Sequence, residues 1–182
     1  FHHLALCAHH IKQQTDLPVH AQILPPRDLA YLAELKEAGI DTVGLHIETF
    51  EPTLLASIAP AKAQRGIDTY VKAMEYAVAL FGKNQVSSFI IAGLDGQAAP
   101  VIDAAEILSS MGVFPYVLPL RPIPGTPLEN RRPPSPSAMT YIYEKTAEIL
   151  SSHGLASTLS KAGCVRCGAC SCLALFEKET TP

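Results

Sequence analysis

The chain has no tryptophan, only 17% charged residues, and a net charge of −3. No lysine or arginine run appears, so nothing suggests a nucleic-acid surface. No apolar stretch reaches the length needed to cross a membrane. No charged segment precedes Phe1, so no secretory signal is evident, and a reducing cytoplasm is the expected location. The missing initial methionine suggests part of a longer chain. Hydrophobic residues make up 48% of 182 positions, enough for one ordinary core.

Cysteine is scarce except in one place. Four of the five cysteines lie in Cys164-Val-Arg-Cys167-Gly-Ala-Cys170-Ser-Cys172. A C-x2-C-x2-C run brings three thiolates around one small volume, and small residues let the backbone wrap closely. The spacing matches the start of a ferredoxin-type iron–sulfur run. Zinc competes, because C-x2-C is also half of a tetrahedral site, and a metal-free tail is the third reading. A [4Fe–4S] cluster takes Cys164, Cys167 and Cys170 as its natural ligands, with Cys172 the fourth or a nearby spare. Cys7, in an apolar stretch, reads as a buried core thiol that does not ligate.

Four apolar runs read as buried strands: residues 19–24, 42–47, 86–92 and 114–120. Helical periodicity separates them. One helix opens at Asp28 and stops at Gly39; others run from Ile67 to Phe81, from Pro100 to Met111, and from about Met139 to Leu150. A short helix spans Thr53 to Ile58. His2, His3, His9 and His10 read as a solvated or inter-element helix face. Strands alternating with helices predict α/β architecture with parallel strands, too few to close an eight-stranded barrel. The expectation is a partial (β/α) barrel over residues 1–154 and a cysteine-rich segment over 155–182. The proline-rich stretch 131–137 reads as a surface loop.

In such folds chemistry sits at the C-terminal ends of the strands. Glu48 ends a buried run, where a carboxylate is costly unless paired or solvated in a cleft; capping the next turn is the plain alternative. His46 lies two residues earlier, on the same face of a regular strand. Arg65 suits a carboxylate or solvent. Gly93 and Gly96 permit close backbone approach or make a tight turn, which Asp95 caps. Arg121 is fixed among prolines, at a barrel mouth or paired with a loop acid.

Taken in order, these strand ends resemble radical SAM enzymes, in particular the branch around biotin synthase. His46-Ile-Glu48-Thr49 is similar to that branch's "HET"-like strand end. The stretch Ala59 to Tyr70 resembles its following loop and helix start. Phe89-Ile-Ile-Ala-Gly93-Leu-Asp95-Gly96 is similar to its fifth strand, and Pro122-Ile-Pro-Gly-Thr-Pro-Leu128 to its "PIPGTPL" end. The resemblance covers roughly residues 15 to 150. It implies that Glu48 contacts the amino-acid or ribose part of S-adenosylmethionine and Arg65 its carboxylate. Gly93 and Asp95 would sit at the nucleoside, and His46 and Arg121 would meet a small-molecule substrate.

It implies reductive cleavage of S-adenosylmethionine, hydrogen abstraction, and an external electron donor of flavodoxin or ferredoxin type. The family's C-x3-C-x2-C loop is absent from these residues, as is its glycine-rich second-strand element. The chain therefore reads as the later part of the barrel, starting near the third strand, with an auxiliary cluster in its tail. The competing readings are an iron–sulfur electron-transfer or scaffold protein, and a non-radical α/β-barrel enzyme with a structural zinc tail.

Overall fold

A computed structural model describes residues 1–177; residues 178–182, the end of the expected tail segment, lie outside the described residues. Four parallel strands form one sheet in sequential order: β1 (His20–Gln22), β2 (Thr42–Gly44), β3 (Val86–Ala92) and β4 (Phe114–Pro119). The helices between them are α2 (Ala30–Glu37), α3 (Pro52–Ile58), α4 (Pro60–Arg65), α5 (Ile67–Phe81) and α6 (Ala99–Ser110). Sequential parallel strands with helical crossovers are the repeating unit of a (β/α) barrel, here a partial one. Helix α1 (His2–Gln14) precedes the sheet, and α7 (Pro136–Ser152) follows it.

The two faces of the sheet differ in chemistry. Val43, Leu45, Ile47, Val86 and Ile90 are buried with Leu32, Leu35, Met74 and Leu108 from the helices. The opposite parity carries His20, Gln22, Thr42, Gly44, His46, Ser87, Phe89 and Tyr116. The register aligns Gln22 with Gly44, Gly44 with Ser87, and Phe89 with Tyr116. Strand alternation thus sorts a dry helix side from a polar concave side.

The expected strands are kept or shortened for identifiable reasons. β3 runs as anticipated. β1 ends early because Pro25 and Pro26 have no N–H to give the ladder, although the Ile23 N–H still bonds the Gly44 carbonyl at 3.0 Å. The expected single short helix before α5 is two: Pro60 breaks the run, and Ala59 between them has φ −143° and ψ 66°. Arg65 is therefore the last residue of α4 as well as the approach to α5. Pro136 and Ser137 belong to α7, where Ser135 caps the helix by accepting the Ala138 N–H at 3.2 Å.

Cys7 is a correction. It is exposed on α1, because the neighbouring Ala5 and Ala8 form that helix's buried face.

After α7 the chain returns beneath the sheet. The Asn84 side chain accepts the Ala156 N–H at 2.9 Å, and the Gln85 amide bonds both Leu159 and Lys161. A five-residue helix, α8 (Gly163–Cys167), then brings the first cysteines against the concave face. Ser171 donates to the Val117 carbonyl at 2.7 Å.

Candidate active site at the strand ends

The second strand breaks its own pattern just before Glu48. The Leu45 N–H bonds the Ser87 carbonyl, but the next donor of β3, Phe89 N–H, goes to the His46 Nδ1 at 3.2 Å. Ile47 N–H turns to the Ser88 hydroxyl, and the ladder resumes only at Glu48, which bonds Phe89 and Ile91 and bridges Ile90. From the Gly44–Ser87 pair to the Glu48–Ile90 bridge, β2 uses four steps and β3 three. One residue is inserted, which is a bulge. It ends the regular strand at Gly44 and breaks the parity expected to put His46 and Glu48 on one face.

Glu48 itself has φ 72°, a conformation that costs a non-glycine residue about 1–3 kcal/mol. Lys62 from α4 holds it. Its ammonium donates directly to the Glu48 carboxylate and, at 2.7 Å, to the His46 carbonyl. Lys62 was not anticipated; the signal available was Pro60 at the first helical position, which starts a helix that carries Lys62 back over the strand end.

Arg65 lies on the same side. Its Nη1 donates to the Pro25 carbonyl at 2.7 Å. That uses one of five N–H donors. The rest of the guanidinium lines a cleft of about 530 Å³ with Gln22, Leu24, Arg27 and Tyr31. Tyr70, near enough to feel both charges, is buried, and its hydroxyl has no hydrogen-bond partner among the described residues. Burial pushes the Tyr70 phenol up, the Arg65 charge acts to lower it, and Glu48 acts to raise it. The structure thus brings Glu48, Lys62, Arg65 and Tyr70 together at the ends of β1 and β2.

Gly93 and Asp95 lie elsewhere. Gly93 has φ 97°, and a Cβ there would meet Pro134 at 2.7 Å. Its close approach is to the loop before α7, with which it lines a separate cleft of about 290 Å³. Asp95 accepts the Gln97 N–H at 3.0 Å, capping the turn.

On the concave face, the His46 ring stacks on Phe89 with centroids 3.7 Å apart, and Phe89 leans on Tyr116 at 5.5 Å. Because the His46 Nδ1 accepts a backbone N–H, its proton sits on Nε2, which is buried without a partner, as is the His20 Nε2. Burial, then the Lys62 and His20 charges, pushes His46 down from 6.5 to about 3. Burial lowers His20 too. The unfolded chain binds protons that these folded rings refuse. Stability contributed by their neutral state is therefore present above pH 6.5 and lost as pH falls toward 3. The melting temperature is expected to drop across that window, by an equivalent on the order of a few kcal/mol. A His46→Gln variant should show a shallower drop; an identical profile would remove His46 as the cause.

The tail brings Cys167 and Cys170 close enough to act on the ionisation of Cys164, and all three act on Tyr116. α8 puts Cys164 and Cys167 on successive turns. Gly168, at φ 67°, reverses the chain toward Cys170. None of the cysteines is in a disulfide; Cys172 is exposed. Burial raises the Cys164 thiol, with Cys170 and Cys167 adding to it. No three His, Cys, Asp or Glu side chains among the described residues are gathered as a metal site. The thiols are neighbours without being drawn into one coordination sphere. Arg121 is exposed and points its Nη2 at the Cys170 carbonyl, 3.5 Å away, so it flanks the cysteine segment.

No family model matches the chain. A bacteriochlorophyllide c C-7(1)-hydroxylase of Chlorobaculum limnaeum is 27% identical over 136 residues, which is 74% of this chain and 34% of that protein. The chain thus spans about a third of this curated relative. Among solved structures, methylornithine synthase superposes with a TM-score of 0.67 at 19% identity, over 85% of this chain and 44% of that one. A radical SAM methyltransferase from Sphaerobacter thermophilus gives 0.55 at 17% identity, over 74% and 38%. The fold is that of the radical SAM enzymes, and the chain forms a part of their (β/α) barrel.

Proposed function

We propose that the chain is part of a radical SAM enzyme that abstracts hydrogen from a small organic substrate, with an auxiliary iron–sulfur cluster in its tail. The observation that carries this reading is the Glu48–Lys62–Arg65–Tyr70 group, set on a bulge at the strand ends. It fits the amino-acid end of S-adenosylmethionine. Arg65 and Arg27 offer donors to a carboxylate, the Glu48 carboxylate accepts from an ammonium or hydroxyl, and Tyr70 has an unused buried hydroxyl. Lys62 fixes the Glu48 carboxylate, so that it is held ready rather than recruited. Bound S-adenosylmethionine supplies radical chemistry on reduction; the protein positions it and keeps water away. Gly93 and Asp95, at the end of β3 and away from this group, would meet the nucleoside on the strength of the family resemblance alone.

His46 stacks on Phe89, which meets Tyr116 at a tilt of 36°, and the three rings form a largely apolar wall on the concave face. Such a wall suits a substrate presenting a C–H bond, in keeping with the hydroxylase named among the relatives. His46 lines this wall, and Arg121 stands at the rim. The reductant would be a flavodoxin- or ferredoxin-type donor, and the compartment the cytoplasm. No helix among the described residues is long and apolar enough to cross a membrane.

Calorimetry of S-adenosylmethionine binding to the complete enzyme tests the site. Glu48→Ala and Arg65→Ala are each expected to weaken it by roughly 1.5–3 kcal/mol, the cost of a lost charged hydrogen bond. Unchanged affinity in both variants would remove this group from the cofactor site.

A further inference from the structure

Helix α4 lies over the strand ends, yet little packing holds it there. None of its six residues is buried. A helix this short has little stability of its own in water, and packing of an apolar face normally supplies it. Here a hollow of about 250 Å³ remains between α3, α4 and α5, lined by Leu55, Ala63, Gly66 and Ile67. Charge ties α4 down instead. Lys62 donates to the Glu48 carboxylate and, at 2.7 Å, to the His46 carbonyl, and Arg65 donates to the Pro25 carbonyl at 2.7 Å. The two cations stand at i and i+3 of one helix, so they share a face and clasp the chain where it leaves β2 and β1.

The chain on either side of α4 is built to turn. Ala59, between α3 and α4, has φ −143° and ψ 66°, outside either helix. Gly66, between α4 and α5, has φ 84° and ψ 141°, which a residue with a Cβ rarely adopts. A few dihedral changes at two such residues are enough to swing the piece between them. Elements with few buried apolar contacts also open at small free-energy cost. We propose that α4 is a hinged lid on the strand-end cleft, latched shut by Lys62 on Glu48 and by Arg65 on Pro25, which admits S-adenosylmethionine when open and retains it when closed. That S-adenosylmethionine is the ligand rests on the reading of Glu48 and Arg65 as a cofactor site; the hinge stands without it. The lid carries part of the site with it. Arg65 rides on α4 and Lys62 holds the carboxylate opposite, so opening takes the group apart and closing restores it.

Hydrogen exchange of the complete enzyme, kept free of oxygen, tests both the lid and its ligand. Without S-adenosylmethionine, the amides of residues 62–66 are expected to exchange much faster than those of α5 and β3. Lys62→Met removes the latch. Gly66→Ala strains the closed hinge without a clash, since a Cβ there meets only the Thr69 Oγ1 at 4.0 Å. Each variant should speed exchange at residues 62–66 roughly tenfold, the effect of one lost charged hydrogen bond or one strained residue, and leave α5 and β3 unchanged. Saturating S-adenosylmethionine, its binding confirmed by calorimetry, should slow the parent's residues 62–66 by roughly tenfold or more. Protection of α4 equal to that of α5 in the parent would overturn the lid, and exchange unchanged in both variants would overturn its latch and hinge. Bound S-adenosylmethionine that leaves α4 exchange unaltered would overturn the gating while sparing the cofactor site. A complete enzyme that binds no S-adenosylmethionine would overturn the site reading and the gating with it.

Discussion

Reconstituted without oxygen in the presence of iron and sulfide, the chain is expected to turn brown, and the variant with Cys164, Cys167 and Cys170 all changed to Ala to stay colourless. The effect is all or none because a cluster cannot be kept by one remaining thiolate. Cys167 and Cys170 already act on the Cys164 thiol across α8 and the turn at Gly168. Cys172→Ala should alter the spectrum if Cys172 supplies the fourth ligand. Cys7→Ala should not alter it, since Cys7 lies exposed on α1. A triple variant that colours as strongly as the parent would end the cluster assignment. A colourless parent holding zinc would replace it with a structural site.

Gly163→Ala is expected to lift the cysteine segment from the sheet. Gly163 has φ 80°, and a Cβ there would stand 2.6 Å from the Cγ of His20. The backbone conformation alone costs an alanine about 1–2 kcal/mol. The ring cannot yield easily, because its Nδ1 is hydrogen-bonded to the Thr42 hydroxyl at 2.7 Å. Overpacking of this kind adds about 1–3 kcal/mol. Gly168→Ala is the matched control: φ is 67°, but a Cβ there meets nothing within 4 Å. Hydrogen exchange should therefore show lost protection over residues 163–173 in Gly163→Ala, with β3 and β4 unaffected. Gly168→Ala should lose less, and His20→Ala combined with Gly163→Ala should recover part of the loss. Equal protection in the two glycine variants would mean that the contact with His20 does not hold the tail.

The parts of this fold legible in the sequence are those set by local rules. β3 is continuous apolar chain bounded by turn residues, and it runs from Val86 to Ala92 as expected. α5 has an apolar stripe with glycines at both ends, and its limits follow. The strand-end residues Glu48 and Arg65 stand out by position and type, and both charges act on the same buried tyrosine. What was not legible depends on pairing between distant residues. The bulge in β2 exists because the His46 ring takes a ladder hydrogen bond from Phe89, and no pattern within residues 42–47 announces that. Lys62 acts through a helix that ends where its neighbour begins. The place of the cysteines was hidden most deeply. Their spacing speaks of thiolates, but nothing in it says that Gln22 of β1 would donate to the Cys164 sulfur.

That last arrangement fixes an order of assembly. Gln22 and Cys164 are 142 positions apart, and Asn84 and Ala156 72 apart. Contacts this distant close large loops, whose entropy is lost before the contact returns anything. They form once β1 through β4 have already aligned. In small metal domains the ion comes first and the chain folds around it. Here the contacts that place the thiols wait on the sheet, so the cysteine segment docks on a barrel that is already formed. On that order, folding of the chain would not wait on any metal that the thiols take.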